Sequence, residues 1–219
     1  MDDPIGSHPT RGEQLDILAS IVADNAAPED RILDFGCGTG YVAKLIFDKR
    51  SDLRFTGVDL KPESLEAAVQ NLAPHGDRFD GFAGNLESLD EIGIPDGPYR
   101  FAMTALTFHD LPDDAKQGVI SFAADRLTQD GYFLLYDRLR LTEAGTFPLQ
   151  RSIWARIERE FGRGMRTAED FDQYEADIAP NNRPGRLSDY AKWFADAGLV
   201  MQILHLHGNI ALIGGAKSG

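Results

Sequence analysis

The hydrophobic positions of this chain change period several times, and each change marks an element. Between residues 11 and 24, Leu15, Leu18, Ile21 and Val22 recur at helical spacing and predict a leading amphipathic helix. Five short apolar runs follow, at about Arg31–Phe35, Arg54–Asp59, Arg78–Phe82, Tyr99–Ala105 and Tyr132–Asp137. Each has the length and continuity of a strand buried on both faces. Helical stretches lie between them at about Tyr41–Lys49, Pro62–Leu72 and Asp113–Leu127, with Pro62 suited to a first helical turn. Strands alternating with helices predict an α/β protein with a doubly wound parallel sheet.

Residues 141–186 break this rhythm. They read as helices at Phe147–Phe161 and Ala168–Ile178, ending in Ala179-Pro-Asn-Asn-Arg-Pro-Gly185. A helix over Leu187–Ala197, closed by Gly198, precedes two strands, Val200–Leu206 and Asn209–Gly214. A turn at His207-Gly208 would make these a terminal antiparallel hairpin. There is no internal repeat, so residues 1–219 are expected to form one domain. Residues 1–10 are expected to be flexible, and 141–186 to form a helical cap on the substrate side.

The first strand runs into Asp34-Phe-Gly-Cys-Gly-Thr-Gly40, and the second ends at Asp59. Glycines at 36, 38 and 40 permit a tight turn and close approach of a ligand to the backbone. A dinucleotide fingerprint would place its third glycine at 41, where this chain has Tyr41. Asp34 would repel a pyrophosphate and attract the ammonium of an amino-acid cofactor. Asp59 is placed to accept hydrogen bonds from both hydroxyls of a ribose, in either cofactor class.

Beyond that loop, Gly84-Asn-Leu-Glu-Ser-Leu89, Leu106-Thr-Phe-His-Asp-Leu-Pro-Asp113 and Leu127-Thr-Gln-Asp-Gly-Tyr-Phe-Leu-Leu135 follow in order. With Leu33–Gly40 and Gly57-Val-Asp59, they make residues 11–140 resemble the class I S-adenosylmethionine-dependent methyltransferases of the small-molecule type. The resemblance implies a seven-stranded Rossmann-like methyltransferase sheet in order 3-2-1-4-5-7-6, with strand 7 antiparallel. It implies S-adenosylmethionine as cofactor and S-adenosylhomocysteine as product. Asp34, Phe35 and the loop Gly36, Cys37, Gly38 and Gly40 would hold the methionine part, and Asp59 the ribose. Leu60 would pack on the adenine, Asn85 and Leu86 would flank its edge, and Thr104, Ala105 and Leu106 would lie under the sulfonium. The family usually has Asp where Asn85 stands. An amide oxygen accepts the same bond from the adenine amino group without charge assistance, and Asn85 also suits a turn.

Methyl transfer requires alignment of nucleophile, methyl and sulfur, and exclusion of water. An oxygen or nitrogen nucleophile also calls for a base. His109, after the fourth strand, is the candidate, since imidazole titrates near neutral pH. Family members also carry His there as a packing residue. Asp110 and Asp113 suit capping of the next helix. Asp137 either faces substrate or caps the next segment. In the cap, Trp154, Tyr174 and Phe147 either line the pocket or pack the added helices onto the sheet. Arg183 and Arg186 are the candidates for an anionic acceptor. Arg151–Arg186 carries seven Arg against seven Asp and Glu, while the whole chain has net charge -13. That field disfavours nucleic acid. His205 and His207, two apart on one strand, lack a visible third ligand, so no metal is expected. No apolar run reaches the ~18 residues of a membrane span, and residues 1–10 carry no secretion signal. The single cysteine, Cys37, fits a reducing, cytoplasmic setting. The leading helix and cap offer surfaces for a homodimer. Two other functions fit the same motifs: an enzyme like carboxy-S-adenosylmethionine synthase of tRNA modification, with Arg183 or Arg186 on the extra carboxylate, and a non-enzymatic cofactor-binding regulator.

Overall fold

A computed structural model describes residues 10–162, 168–178 and 182–218. Its strands are β1 Arg31–Phe35, β2 Arg54–Asp59, β3 Phe79–Ala83, β4 Tyr99–Ala105, β5 Leu127–Arg138, β6 Leu199–His207 and β7 Ile210–Lys217. They form one sheet in the order β3-β2-β1-β4-β5-β7-β6. The neighbours from β3 to β5 run parallel, and β7 is antiparallel to both β5 and β6. The helices are α1 Arg11–Asn25, α2 Tyr41–Lys49, α3 Pro62–Leu72, α4 Asp113–Arg126, α5 Phe147–Phe161, α6 Phe171–Asp177 and α7 Leu187–Asp196.

Strand alternation divides the apolar residues into two cores, one on each face. Along β5, Phe133 and Leu135 join Val119 and Ala123 of α4 and Tyr190 and Phe194 of α7. Leu134 and Tyr136 join Leu15 and Leu18 of α1 and Ile46 and Phe47 of α2. Helices on both faces explain why the central strands are apolar throughout, and they leave the C-terminal ends of β1, β4 and β5 as the open edge.

Several boundaries differ from the sequence expectation. β3 is displaced by one residue to Phe79–Ala83. α4 stops at Arg126, and β5 begins at Leu127, which pairs with Tyr99 ahead of a register shift before Phe101. α6 is confined to Phe171–Asp177, because the Asp170 carboxylate accepts from the Gln173 N–H and starts it there. The hairpin turn is Gly208-Asn209, since His207 still pairs with Ile210, and β7 continues to Lys217 opposite Leu199. The expectations for residues 1–9 and 179–181 lie outside the described residues.

Candidate active site

The loop after β1 folds back onto β2. The Val58 carbonyl accepts from the N–H groups of Gly36 and Cys37, at 2.7 and 3.0 Å. Asp59 clamps the same loop. Its carboxylate accepts from the Gly38 N–H at 2.8 Å and from the Lys61 N–H at 3.0 Å. Gly36 has φ 74°, and a Cβ there would collide with the Thr107 side chain. Glycine at 36 therefore lets the β1 and β4 loops touch. Cys37 is buried, and burial pushes its thiol pKa up.

Asp34 lies beneath this loop, 2% exposed. Its Oδ2 has no hydrogen-bond partner, and the same is true of the buried Thr104 Oγ1. Burial first, and then the nearby Asp59 charge, raise the Asp34 pKa to about 7. A buried carboxylate oxygen without a partner suits a cationic ligand group, which would restore the charged form.

β4 ends in a strained turn. Leu106 has φ 56°, unusual for a branched residue, and its N–H donates to the Tyr136 carbonyl at 2.8 Å. This turn, the glycine loop and the ends of β2 and β3 enclose a cavity of about 280 Å³. Of the expected cofactor residues, Gly36, Asp59, Leu60, Asn85, Leu86 and Leu106 line it. Lys61, Ser64, Thr107, Asp110 and Leu111 complete the lining. Asn85 also caps the turn that follows it, with Oδ1 accepting from the Glu87 N–H at 3.0 Å. Phe35 is wholly buried in the core on the α4 side, and Ala105 in the core on the α1 side.

His109 stands at this edge, 8% exposed, in a short helical turn over Phe108–Asp110. Its Nδ1 lies 2.7 Å from Asp137 Oδ1, and its backbone N–H donates to Asp137 Oδ2 at 2.9 Å. Asp137 is fully buried and also accepts from the Arg138 N–H at 2.7 Å. A carboxylate held this way fixes the proton on Nδ1 and leaves the lone pair on Nε2. Nε2 is 3.5 Å from Asp110 Oδ1, and Asp110 lines the cavity.

Residues 32–131 match the family model for a methyltransferase domain. Over these residues the chain is similar to methyltransferase domains. It is 26% identical over 139 residues to carboxy-S-adenosyl-L-methionine synthase of Campylobacter lari, covering 63% of this chain and 57% of that protein. It is 28% identical over 149 residues to 27-O-demethylrifamycin SV methyltransferase of Amycolatopsis mediterranei, covering 68% of this chain and 52% of that one. The chain thus spans somewhat over half the length of these relatives. The fold matches an O-methyltransferase family protein from Burkholderia thailandensis with a TM-score of 0.71, at 18% identity, over 95% of this chain and 56% of that one.

Several expected substrate residues have other places in this structure. Asp137 reaches no open surface: it lies beneath His109 and orients it. Trp154 is buried in a small core within the cap, its ring 5.8 Å from that of Phe147. Tyr174 joins the same cluster, and its hydroxyl accepts from the Leu141 N–H at 2.9 Å. Arg183 donates its backbone N–H to the His109 carbonyl and its guanidinium to the Asp110 carbonyl, the latter at 2.7 Å. It therefore fastens the His109 turn. Arg186 is exposed at the start of α7, away from the cavity lining.

Lys116 is the residue that sequence pattern missed. It is fully buried on α4, and its Nζ donates to Asp113 Oδ1 and to the Arg183 carbonyl, both at 2.6 Å. It ties Arg183, which bonds the His109 turn, to the start of α4. A lysine on a helix is ordinarily solvated, so spacing carries no signal of its burial. His205 lies 3.3 Å through Nδ1 from the Gln14 amide. Among the described residues, no group of three His, Cys, Asp or Glu side chains could hold a metal ion. Among the same residues, no helix is long and apolar enough to cross a membrane.

Proposed function

We propose that this chain binds S-adenosylmethionine at the Gly36–Gly40 loop and transfers its methyl group to an oxygen, nitrogen or carbon atom of a small molecule. The observation that carries the reading is Asp34: a buried carboxylate oxygen with no partner, under a glycine loop whose Gly36 lines a cavity of about 280 Å³. The residues fit the cofactor. Asp34 would meet the ammonium of the methionine part. Asp59 keeps a further lone pair on each oxygen for the ribose hydroxyls, and Leu60, Asn85 and Leu86 would flank the adenine. When bound, the sulfonium supplies an electrophilic methyl group with a good leaving group.

The protein's own contribution is position and proton transfer. Leu106 and the Gly36 loop set the depth to which the donor can sit, and the cap excludes water from the acceptor side. Asp137 holds His109 with Nδ1 protonated, so Nε2 takes the proton that an O–H or N–H acceptor loses. The resulting imidazolium is stabilised by Asp137 on one side and Asp110 on the other. Arg183 and Lys116 hold this turn in place.

Calorimetric titration with S-adenosylmethionine, S-adenosylhomocysteine and NAD tests the reading. Binding of both sulfur ligands and not NAD is expected; binding of NAD alone would overturn it. One relative, carboxy-S-adenosylmethionine synthase, keeps a second reading in view, a carboxylated donor at the same loop. Mass spectrometry of ligand retained through purification distinguishes the two, with unmodified S-adenosylmethionine or its thioether product expected. Absence of turnover across a broad acceptor panel, with intact cofactor binding, would favour a regulator instead.

A further inference from the structure

Arg138 closes β5 immediately after Asp137, at the edge where donor and acceptor are expected to meet. It is half-buried, its Nε is buried without a partner, and its guanidinium makes no hydrogen bond or ion pair among the described residues. Three other arginines around the cap are occupied. Arg140 lies 2.7 Å from Glu175, Arg183 donates to the Asp110 carbonyl, and Arg156 approaches Glu160 at 3.7 Å. In a chain with 35 acidic residues and net charge -13, an arginine at the ligand edge facing no carboxylate is a departure that calls for a cause.

Strand alternation puts Arg138 on the face of Leu134 and Tyr136, opposite Asp137. Leu106, which lines the donor cavity, packs against the core of that same face. Tyr174 of the cap lies within electrostatic reach: burial raises its phenol pKa, while hydrogen bonding at Leu141 and the charges of Arg140 and Arg138 act the other way. Arg138 thus stands at the C-terminal end of β5, on the sheet face that Leu106 packs against and within electrostatic reach of Tyr174.

We propose that the Arg138 guanidinium receives an oxyanion of the acceptor, a carboxylate or a phosphate, and thereby selects anionic substrates. This proposal rests on the methyl-transfer reading above. A planar fork with several N–H donors suits either group, and partial burial strengthens a charge-assisted bond relative to one in bulk water. Arg183 and Arg186, the candidates that sequence position favoured, are respectively engaged with the main chain and exposed away from the cavity.

The test uses the full chain saturated with S-adenosylhomocysteine, titrated calorimetrically with sodium acetate, sodium benzoate and inorganic phosphate. The variants are Arg138→Gln, Arg138→Lys and, as a control on the cap surface, Arg156→Gln. At least one anion should bind the wild type, with Kd raised about tenfold or more in Arg138→Gln, partly restored in Arg138→Lys and unchanged in Arg156→Gln. The carboxylates and phosphate report separately on which oxyanion the site takes. No binding of any of the three anions to the wild type, or undiminished binding to Arg138→Gln, would overturn the proposal. S-adenosylhomocysteine affinity is measured in the same samples. If the wild type fails to bind it, the methyl-transfer reading itself fails. If every variant binds it and anion affinity ignores Arg138, only the Arg138 assignment fails.

Discussion

Replacing Asp34 with Asn should move stability and cofactor affinity in opposite directions. In the folded chain the carboxyl pKa rises from 3.8 to about 7, because burial withholds water and Asp59 adds a like charge. That is about three pKa units, or ~4 kcal/mol at 1.36 kcal/mol per unit. The folded value lies above the unfolded one. The cost is therefore absent below about pH 4, grows as pH rises from about 4 to about 7, and is complete above that. Asp34→Asn removes it, so urea unfolding at pH 8 should show the variant more stable by as much as ~4 kcal/mol, with little difference at pH 4. A ligand ammonium reverses the balance by favouring the ionised carboxylate. At pH 6 the site is about nine-tenths protonated, so binding of S-adenosylhomocysteine should release about 0.9 proton there and about 0.1 at pH 8. Affinity should improve about tenfold across that interval. Calorimetry in buffers of different ionisation enthalpy reads the proton count. The variant should bind the ligand more weakly and lose the pH dependence. A wild type that releases no proton at pH 6, or a variant whose stability follows the wild-type pH profile, would refute the electrostatic reasoning.

Three further outcomes follow from the same geometry. Asp59→Ala removes the proposed ribose acceptor and the Gly38 clamp together, and should lower S-adenosylhomocysteine affinity by about 1–3 kcal/mol in calorimetry; unchanged affinity would mean the ribose lies elsewhere. Asp137→Asn keeps the shape but releases the His109 tautomer, and should lower kcat about 10²–10⁴-fold while leaving S-adenosylhomocysteine affinity in place; equal turnover would remove the base from the mechanism. Lys116→Met leaves the Arg183 carbonyl without its donor, and should cost about 1–3 kcal/mol in urea unfolding; no loss would mean that Lys116 does not fasten the turn.

How much of this could be read from residues alone depended on how local the cause was. β1, β2 and α2 fall where the apolar runs and the glycine turn put them, because burial on both faces and positive φ at Gly36, Gly38 and Gly40 are local demands. The start of β5 was hidden, because Leu127 is held by pairing with Tyr99, a partner far away in sequence. The His109–Asp137 pair joins residues 28 apart, and only the adjacency of β4 and β5 brings them together. Trp154 and Tyr174 stayed open between pocket and packing because composition does not distinguish a ring facing a ligand from one facing Phe147. Lys116 and Arg138 were passed over for a related reason: whether a cation is paired or left without a partner is set by tertiary packing.

The most direct measurement is a structure of the chain with S-adenosylhomocysteine bound. The ammonium should lie against Asp34, the ribose hydroxyls on Asp59 and the adenine between Leu60 and Leu86, with the sulfur directed toward Leu106 and the His109 turn. A ligand bound away from the Gly36–Gly40 loop, or placed there with its ammonium far from Asp34, would contradict the assignment of this edge as the methyl-donor site.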